Sequence, residues 1–384
     1  MRVLVICAAG YISGKEKVSL DLLKGLKETG HEVCCAVSNW SNGEFTARLQ
    51  QEHIPYKKLR LGFLSKTLDR AAVKMTLLQG WYWPGLLLRY RSLTRQFRPD
   101  VVIHTNFHHA FLLYPALQAR DQLHMYHSHE SILNAGFYSK LFKRFEKRIR
   151  VFIGVSQFVT RRLAALGLSH TRTIYNGVTP IDPPQKEVTG NVFTIGIVGQ
   201  VGAWKGHEDL VDALELLQRQ SAVPFRLFIY GNGPAGFIAS VKQRIAGKGL
   251  EDLVTWKGYE SELANIYRDL DVVCVPSRSE EPFGLSAVEP GLFSLPVIVS
   301  NRGGLPEIVR HEQNGFITDA GAPDQLARYL QVLLEDRALA QQMGQRHRAI
   351  VLQEFTYRKF ITDWNTLLRE YASGLPRHSA GVSR

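Results

Sequence analysis

Short apolar runs rich in Val and Ile alternate with stretches of helical period along almost the whole chain, and this rhythm constrains the fold more than any other feature. The runs fall at 2–8, 32–37, 101–104, 124–126, 151–155 and 173–175, then again at 193–198, 225–230, 254–256, 272–275, 296–299 and 315–317. Between them, segments such as 18–26, 209–217, 263–270 and 324–334 repeat apolar side chains every three to four positions. Repeated strand–helix alternation predicts parallel sheets covered by helices on both faces. Pro180, Pro183 and Pro184 interrupt the rhythm between the two series, where regular structure must end. The chain has 384 residues, too many for one ordinary domain. The expectation is an α/β protein of two doubly wound, Rossmann-like domains at 1–180 and 192–354, joined by a linker at 181–191 and facing each other across a cleft. Ligands would sit at the carboxyl ends of the strands. A polar tail at 373–384 is expected to be disordered.

Hydrophobic residues at 45% and charged residues at 21% exclude disorder as a reading of the whole chain. The four cysteines, Cys7, Cys34, Cys35 and Cys274, show no C-x-x-C spacing, which argues against zinc or a disulfide framework and fits a reducing cytosol. No apolar run reaches the eighteen or so residues of a membrane span. The first nine residues lack the basic head and cleavage site of a signal peptide, so the expected location is cytoplasmic.

The net charge of +12 is unevenly shared. Residues 1–180 hold 26 Lys and Arg against 11 Asp and Glu, whereas residues 181–384 hold 21 against 24. From Lys57 to Arg98 there are ten basic residues and one acid, Asp69, interleaved with Trp81, Tyr82, Trp83, Leu86, Leu87 and Leu88. A second block, Lys140 to Arg150, has six basic residues and Glu146. No nucleic-acid module accompanies them, so a nucleic-acid partner is set aside. Basic residues mixed with Trp and Leu suit an interfacial anchor on an anionic membrane surface, peripheral on its cytoplasmic face. A solvated basic face over a core helix is the plainer alternative.

Four constellations could carry chemistry. Ser13-Gly14-Lys15-Glu16 follows the first strand and opens a helix, where a glycine lets backbone N–H groups approach a diphosphate. Gly199 to Gly206 repeats that setting and adds Gln200 and Lys205, an ammonium able to balance phosphate charge. The third follows the strand at 272–275. It runs through Glu281, Phe283, Gly284 and Leu285 to Glu289, with two carboxylates eight positions apart that suit a polyhydroxylated ligand, and amides at Gly284 and Leu285 that suit phosphate. The fourth is a set of histidines at strand ends, His104, His108, His109, His127 and His129, whose spacing does not specify a metal site.

These pieces, with Ile174-Tyr175-Asn176-Gly177-Val178, Tyr230-Gly231-Asn232-Gly233-Pro234, Asn301 to Glu307 and Asn314-Gly315-Phe316, resemble the retaining glycosyltransferases of family four, which have the GT-B fold. The resemblance covers nearly the whole chain and is strongest from Val155 to Asp319. It implies a metal-independent hexosyltransferase that needs no cofactor beyond a nucleotide-diphosphate sugar as co-substrate. The acceptor would be a saccharide or lipid-linked saccharide in glycan, polysaccharide or glycolipid biosynthesis. It implies that Glu289 binds the donor ribose and Glu281 lies beside the transferred sugar. Gly14, Lys205, Gly284 and Leu285 would hold the diphosphate, with Gln200 and Phe283 also at the donor. Trp256-Lys257-Gly258 would border the nucleobase. His127 would be the active-site histidine with His129 its competitor, and His104, His108 and His129 would face the acceptor. A final helix within 355–372 would cross back to the first domain.

Two positions depart from the family pattern. Gln200 stands where an arginine is usual, leaving the leaving-group charge to Lys205 and to Arg278 or Arg302. Pro290 follows Glu289 where a helix former is usual. Two rivals follow: a nucleotide-sugar epimerase or hydrolase on this scaffold, and a non-catalytic partner subunit, which Gln200 keeps open.

Overall fold

In the computed structural model, the described residues are 1–7, 14–62, 70–117, 122–131, 136–182 and 192–372. The expectations for Ser13, for the linker from 183 to 191 and for the tail 373–384 lie outside them. The chain divides into two compact units, Met1–Tyr175 with Arg358–Arg384, and Asn176–Tyr357.

The first unit holds a seven-stranded parallel sheet. Its strands are β1 (Arg2–Ile6), β2 (Glu32–Ser38), β3 (Tyr56–Leu59), β4 (Val101–His104), β5 (Leu123–Ser128), β6 (Val151–Gly154) and β7 (Thr171–Thr173), in the order β3-β2-β1-β4-β5-β6-β7. The second holds six parallel strands: β8 (Phe193–Val198), β9 (Phe225–Tyr230), β10 (Val254–Gly258), β11 (Val272–Val275), β12 (Val297–Ser300) and β13 (Gly315–Thr318), ordered β10-β9-β8-β11-β12-β13. Strands β4, β5, β6, β11 and β12 are buried at every residue, as parallel strands covered on both faces should be. That burial is why β11 and most of β4, β6 and β12 read in sequence as apolar runs, whereas β5 buries His124, His127 and Ser128 as well.

Three assignments differ from the sequence reading. β3 was not expected: its sequence, Tyr-Lys-Lys-Leu, has no apolar run, because an edge strand is half solvated and Lys57 and Lys58 are exposed on it. β7 ends at Thr173 instead of starting there. The helix expected over 263–270 is the single turn Leu263–Tyr267. Among the described residues no helix is long and apolar enough to cross a membrane.

The last helix, Tyr357–Ala372, packs on the first unit, as the resemblance implied. Trp364 is fully buried in it, with its ring edge-on to His127 at 5.0 Å. Asn365 donates to Thr29 Oγ1 at 3.1 Å and its Oδ1 meets His31 Nε2 at 2.8 Å, while Glu370 pairs with Arg172 at 3.2 Å. Phe360, Ile361, Leu367 and Leu368 of the same helix are buried too, and the indole is the largest of these side chains. Trp364→Ala is expected to destabilise the protein by about 3–5 kcal/mol, the usual cost of truncating a buried aromatic. Urea denaturation measures it, and a loss below about 1 kcal/mol would show that the helix is held by its other contacts instead.

Candidate functional site

In the second unit, strand order turns between β8 and β11, and such a turning point opens a crevice beyond the carboxyl ends of the two strands. Lys205 closes a short turn, Ala203–Lys205, in the loop after β8. Gly206 follows at φ 73°, and a Cβ there would lie 1.9 Å from the carbonyl oxygen of Pro276, the first residue after β11. Only glycine lets these two loops meet. The amides of Arg278 and Ser279 then donate to the Trp204 carbonyl at 2.9 and 3.2 Å. This places Lys205 Nζ 2.6 Å from Glu281 Oε1, and Ser277 Oγ donates to the same oxygen at 2.6 Å. From the other side, the Gly304 amide donates to the Glu281 carbonyl at 2.7 Å. Gly303, at φ 62°, approaches so closely that a Cβ would lie 2.0 Å from that carbonyl oxygen.

Glu289 is the fifth residue of the helix Leu285–Leu292 and is buried. The Tyr267 hydroxyl donates to its Oε2 at 3.1 Å. Burial, with the Glu289 carboxylate beside it, pushes the Tyr267 phenol well above its ordinary pKa, so it remains a donor. Gly284 caps this helix in the left-handed conformation. The first amides of a helix have no acceptor inside it, which suits them to an anion. The Phe283 ring is buried, edge-on to Phe355 at 5.7 Å. Pro290 is the sixth helical residue, too deep to be tolerated as a first-turn proline, and the helix ends two residues later.

The cations divide unequally. Arg278 is committed to Asp209, whose two carboxylate oxygens it meets at 2.6 and 2.8 Å. Gln200 and Arg302 are exposed. Lys257 lies over the Phe228 ring at 4.2 Å, beside a half-buried Trp256.

The first unit has its own turning point, between β1 and β4. Gly14 opens the helix Gly14–Glu28. Lys15 Nζ lies 3.4 Å from Glu16 Oε1. Burial works against the Lys15 charge, but the Glu16 carboxylate, with Glu130 contributing, holds its pKa above the ordinary lysine value. Asn106, just after β4, accepts from the His108 amide at 2.8 Å and donates to Glu130 Oε1 at 3.1 Å. Burial raises the Glu130 pKa, opposed by Lys15. Asn106 and Glu130 were not singled out in the sequence. The Asn-x-His spacing of a helix cap was the available signal for the first, and Tyr267, twenty-two residues from Glu289, offered none.

One histidine assignment, that of His127, needs correction. His104 ends β4, where the sequence places it, and is fully buried, with Nε2 3.3 Å from His124 Nδ1. His127 does not follow β5 but lies within it, buried between Trp364 and His129. His129 lies beyond the strand, half-buried, its Nε2 3.0 Å from His127 Nδ1. His108 is half-buried at the head of the helix Phe107–Leu113.

The model of the family "Glycosyltransferase Family 4" matches residues 12–180, and that of "Glycosyl transferases group 1" matches 179–350. A D-inositol 3-phosphate glycosyltransferase of Jonesia denitrificans is 33% identical over 201 residues, covering 48% of this chain and 46% of that protein. A GDP-mannose-dependent alpha-(1-6)-phosphatidylinositol monomannoside mannosyltransferase of Mycobacterium tuberculosis is 30% identical over 179 residues, 44% of each chain. The chain spans about half the length of the curated relatives it matches. The fold is that of Anabaena Alr3699/HepE, solved in complex with UDP and glucose. The TM-score is 0.77 at 21% identity, covering 96% of this chain and 99% of that one. The lipopolysaccharide outer core galactosyltransferase WaaB shares it with a TM-score of 0.73 at 16% identity, covering 96% and 99%.

Burial gives the histidines a measurable consequence. It lowers His104 and His127 to about 3, and His207 and His347 to about 4, from an ordinary value of 6.5. The unfolded chain therefore binds more protons between pH 6.5 and 4, so stability falls as pH drops through that window. Each such group contributes about 1.4 kcal/mol per pH unit where the unfolded form is charged and the folded form is not. Urea midpoints should fall steeply from pH 7 to pH 5, and a flat profile would mean that these rings are protonated in the fold.

Proposed function

Because the chain belongs to the group 1 glycosyltransferases, we propose that it transfers a sugar from a nucleotide-diphosphate sugar to a saccharide or lipid-linked saccharide, with retention of anomeric configuration. The observation that carries this reading is the Lys205–Glu281 pair on the loops after β8 and β11, with Glu289 buried in the helix that follows. In the proposed complex, Glu289 accepts hydrogen bonds from the ribose hydroxyls. The Gly284 and Leu285 amides and Lys205 bind the diphosphate, and Glu281 contacts the transferred sugar. Lys205 stabilises charge that grows on the departing phosphate, and an ammonium in a partly dry site does so more strongly than in water. The bond from the anomeric carbon to phosphate breaks as the acceptor oxygen bonds on the same face, and the acceptor's proton passes to the departing phosphate. No metal takes part in this scheme. In the first unit His129 and Glu130 contact the acceptor, and His127 acts through His129. The acceptor is presented at an anionic membrane surface.

The experiment is a thermal-shift screen against nucleotide sugars, followed by turnover of the stabilising donor with saccharide and lipid-linked acceptors in EDTA. Transfer in EDTA with retained configuration supports the proposal. Donor binding with no turnover would move the chain to a non-catalytic role, and products formed without acceptor would make it a hydrolase or epimerase. Glu289→Ala should weaken nucleotide binding roughly ten- to hundred-fold, because charge-assisted bonds of about 1.5–3 kcal/mol are lost. Unchanged affinity by calorimetry in a folded variant would remove Glu289 from the donor site.

A further inference from the structure

The helix Arg70–Phe97 of the first unit has two working faces. Gln79, Leu86, Tyr90, Leu93 and Thr94 are buried, and the half-exposed Trp83 donates its indole N–H to the Leu112 carbonyl at 2.7 Å. These residues recur at helical spacing and attach the helix to the unit. Tyr82 is half-buried under the Arg60 guanidinium, 4.1 Å above its ring. The cluster at Trp81, Tyr82 and Trp83 is thus divided, and only Trp81 stands fully in solvent.

The opposite face is unusual. Leu77, Trp81 and Leu88 are 71%, 82% and 66% exposed. They stand at positions i, i+4 and i+11, on one stripe about 16 Å long at 1.5 Å per residue. Single exposed apolar residues are ordinary; an aligned set led by a tryptophan is the pattern of a contact surface. At Arg91 and Arg95 the same stripe becomes basic, and both are exposed. No aspartate or glutamate occurs between Arg70 and Phe97. Lys57 and Lys58 are exposed on β3, the edge strand that packs beside this helix.

We propose that this stripe docks on an anionic lipid bilayer, with Leu77, Trp81 and Leu88 entering the headgroup boundary and Arg91 and Arg95 over lipid phosphates. An apolar stripe continuing into arginines, on a helix without acids, complements a surface that is negative outside and apolar beneath. A second copy of the chain fits less well, because a two-fold contact helix to helix through this face would bring no acid to Arg91 or Arg95, since the helix has none. Tryptophan is suited to the boundary, with an apolar ring body and a polar N–H. The docking deepens the reading of a lipid-linked acceptor, and it is measured without donor or acceptor, so the two proposals fail separately.

The experiment is co-sedimentation of the full chain with vesicles of phosphatidylcholine alone or mixed with phosphatidylglycerol, at low and high salt. Binding is expected to the anionic vesicles only, and to weaken as salt screens the arginines. The variant Trp81→Ser with Leu88→Ser changes two exposed side chains, so circular dichroism and melting should be unchanged, while vesicle affinity falls about tenfold or more. Equal, negligible binding to both vesicle types would overturn the proposal, as would undiminished binding by the folded variant. A concentration-dependent dimer that the same variant abolishes would assign the face to a second copy and overturn it too.

Discussion

The 2.6 Å contact between Lys205 and Glu281 is the interaction on which the second unit's site depends. Two partly buried, opposite charges on separate loops are each tolerable because the other is there, and removing either would leave a charge without compensation. Their meeting requires the reversal of strand order at β8 and β11, and it requires glycine at 206 and 303 so that three loops can touch. Ser277 adds a second donor to the same carboxylate oxygen, which narrows the positions Glu281 can take. A diphosphate entering beside Lys205 would share a cation that already has an anion, while Glu281 keeps its hydroxyl donor. On the proposed reading the site is held in shape by the contact that the ligand loosens.

Much of this was legible in the sequence because parallel strands buried on both faces announce themselves as Val and Ile runs. The β8–β13 series lies close to where those runs fall, and the loop residues follow from it: a lysine after one central strand and a glutamate after its neighbour must share one edge of the sheet. Periodicity fails where solvation differs. β3 is half solvated and carries two lysines, so it has no apolar run to detect. His127 was misplaced because a histidine in His-Ser-His reads as loop, whereas His127 and Ser128 are the last two residues of a strand, with Trp364 against the His127 ring. A contact from a helix more than two hundred residues away leaves no trace in local sequence. The same holds for Arg278, whose charge looks available until its Nε and Nη2 are found donating to the two carboxylate oxygens of Asp209.

Buried polarity is met in two ways around the central strands. Around β8 and β11 the charges are kept and paired: Lys205 with Glu281, Arg278 with Asp209. Around β4 and β5 the histidines are kept neutral by burial, in ring-to-ring contacts such as His104 with His124 and His127 with His129. A neutral imidazole can be donor on one nitrogen and acceptor on the other, so each pair shares one hydrogen bond without a counter-ion. Paired charges suit a diphosphate, and neutral donors and acceptors suit hydroxyl groups.

The helix Arg70–Phe97 extends the same logic to the surface. Its buried stripe already supplies the apolar contact that attaches it to the first unit, so folding does not need Leu77, Trp81 or Leu88 to be apolar. Nor can solubility favour them, since polar residues at those positions would cost the core nothing. In a helix with no acid, every charged position also has the same sign, so the helix lacks the i, i+4 ion pairs that usually support a solvated face. What remains is a face whose chemistry has a use only when something apolar and negatively charged lies against it.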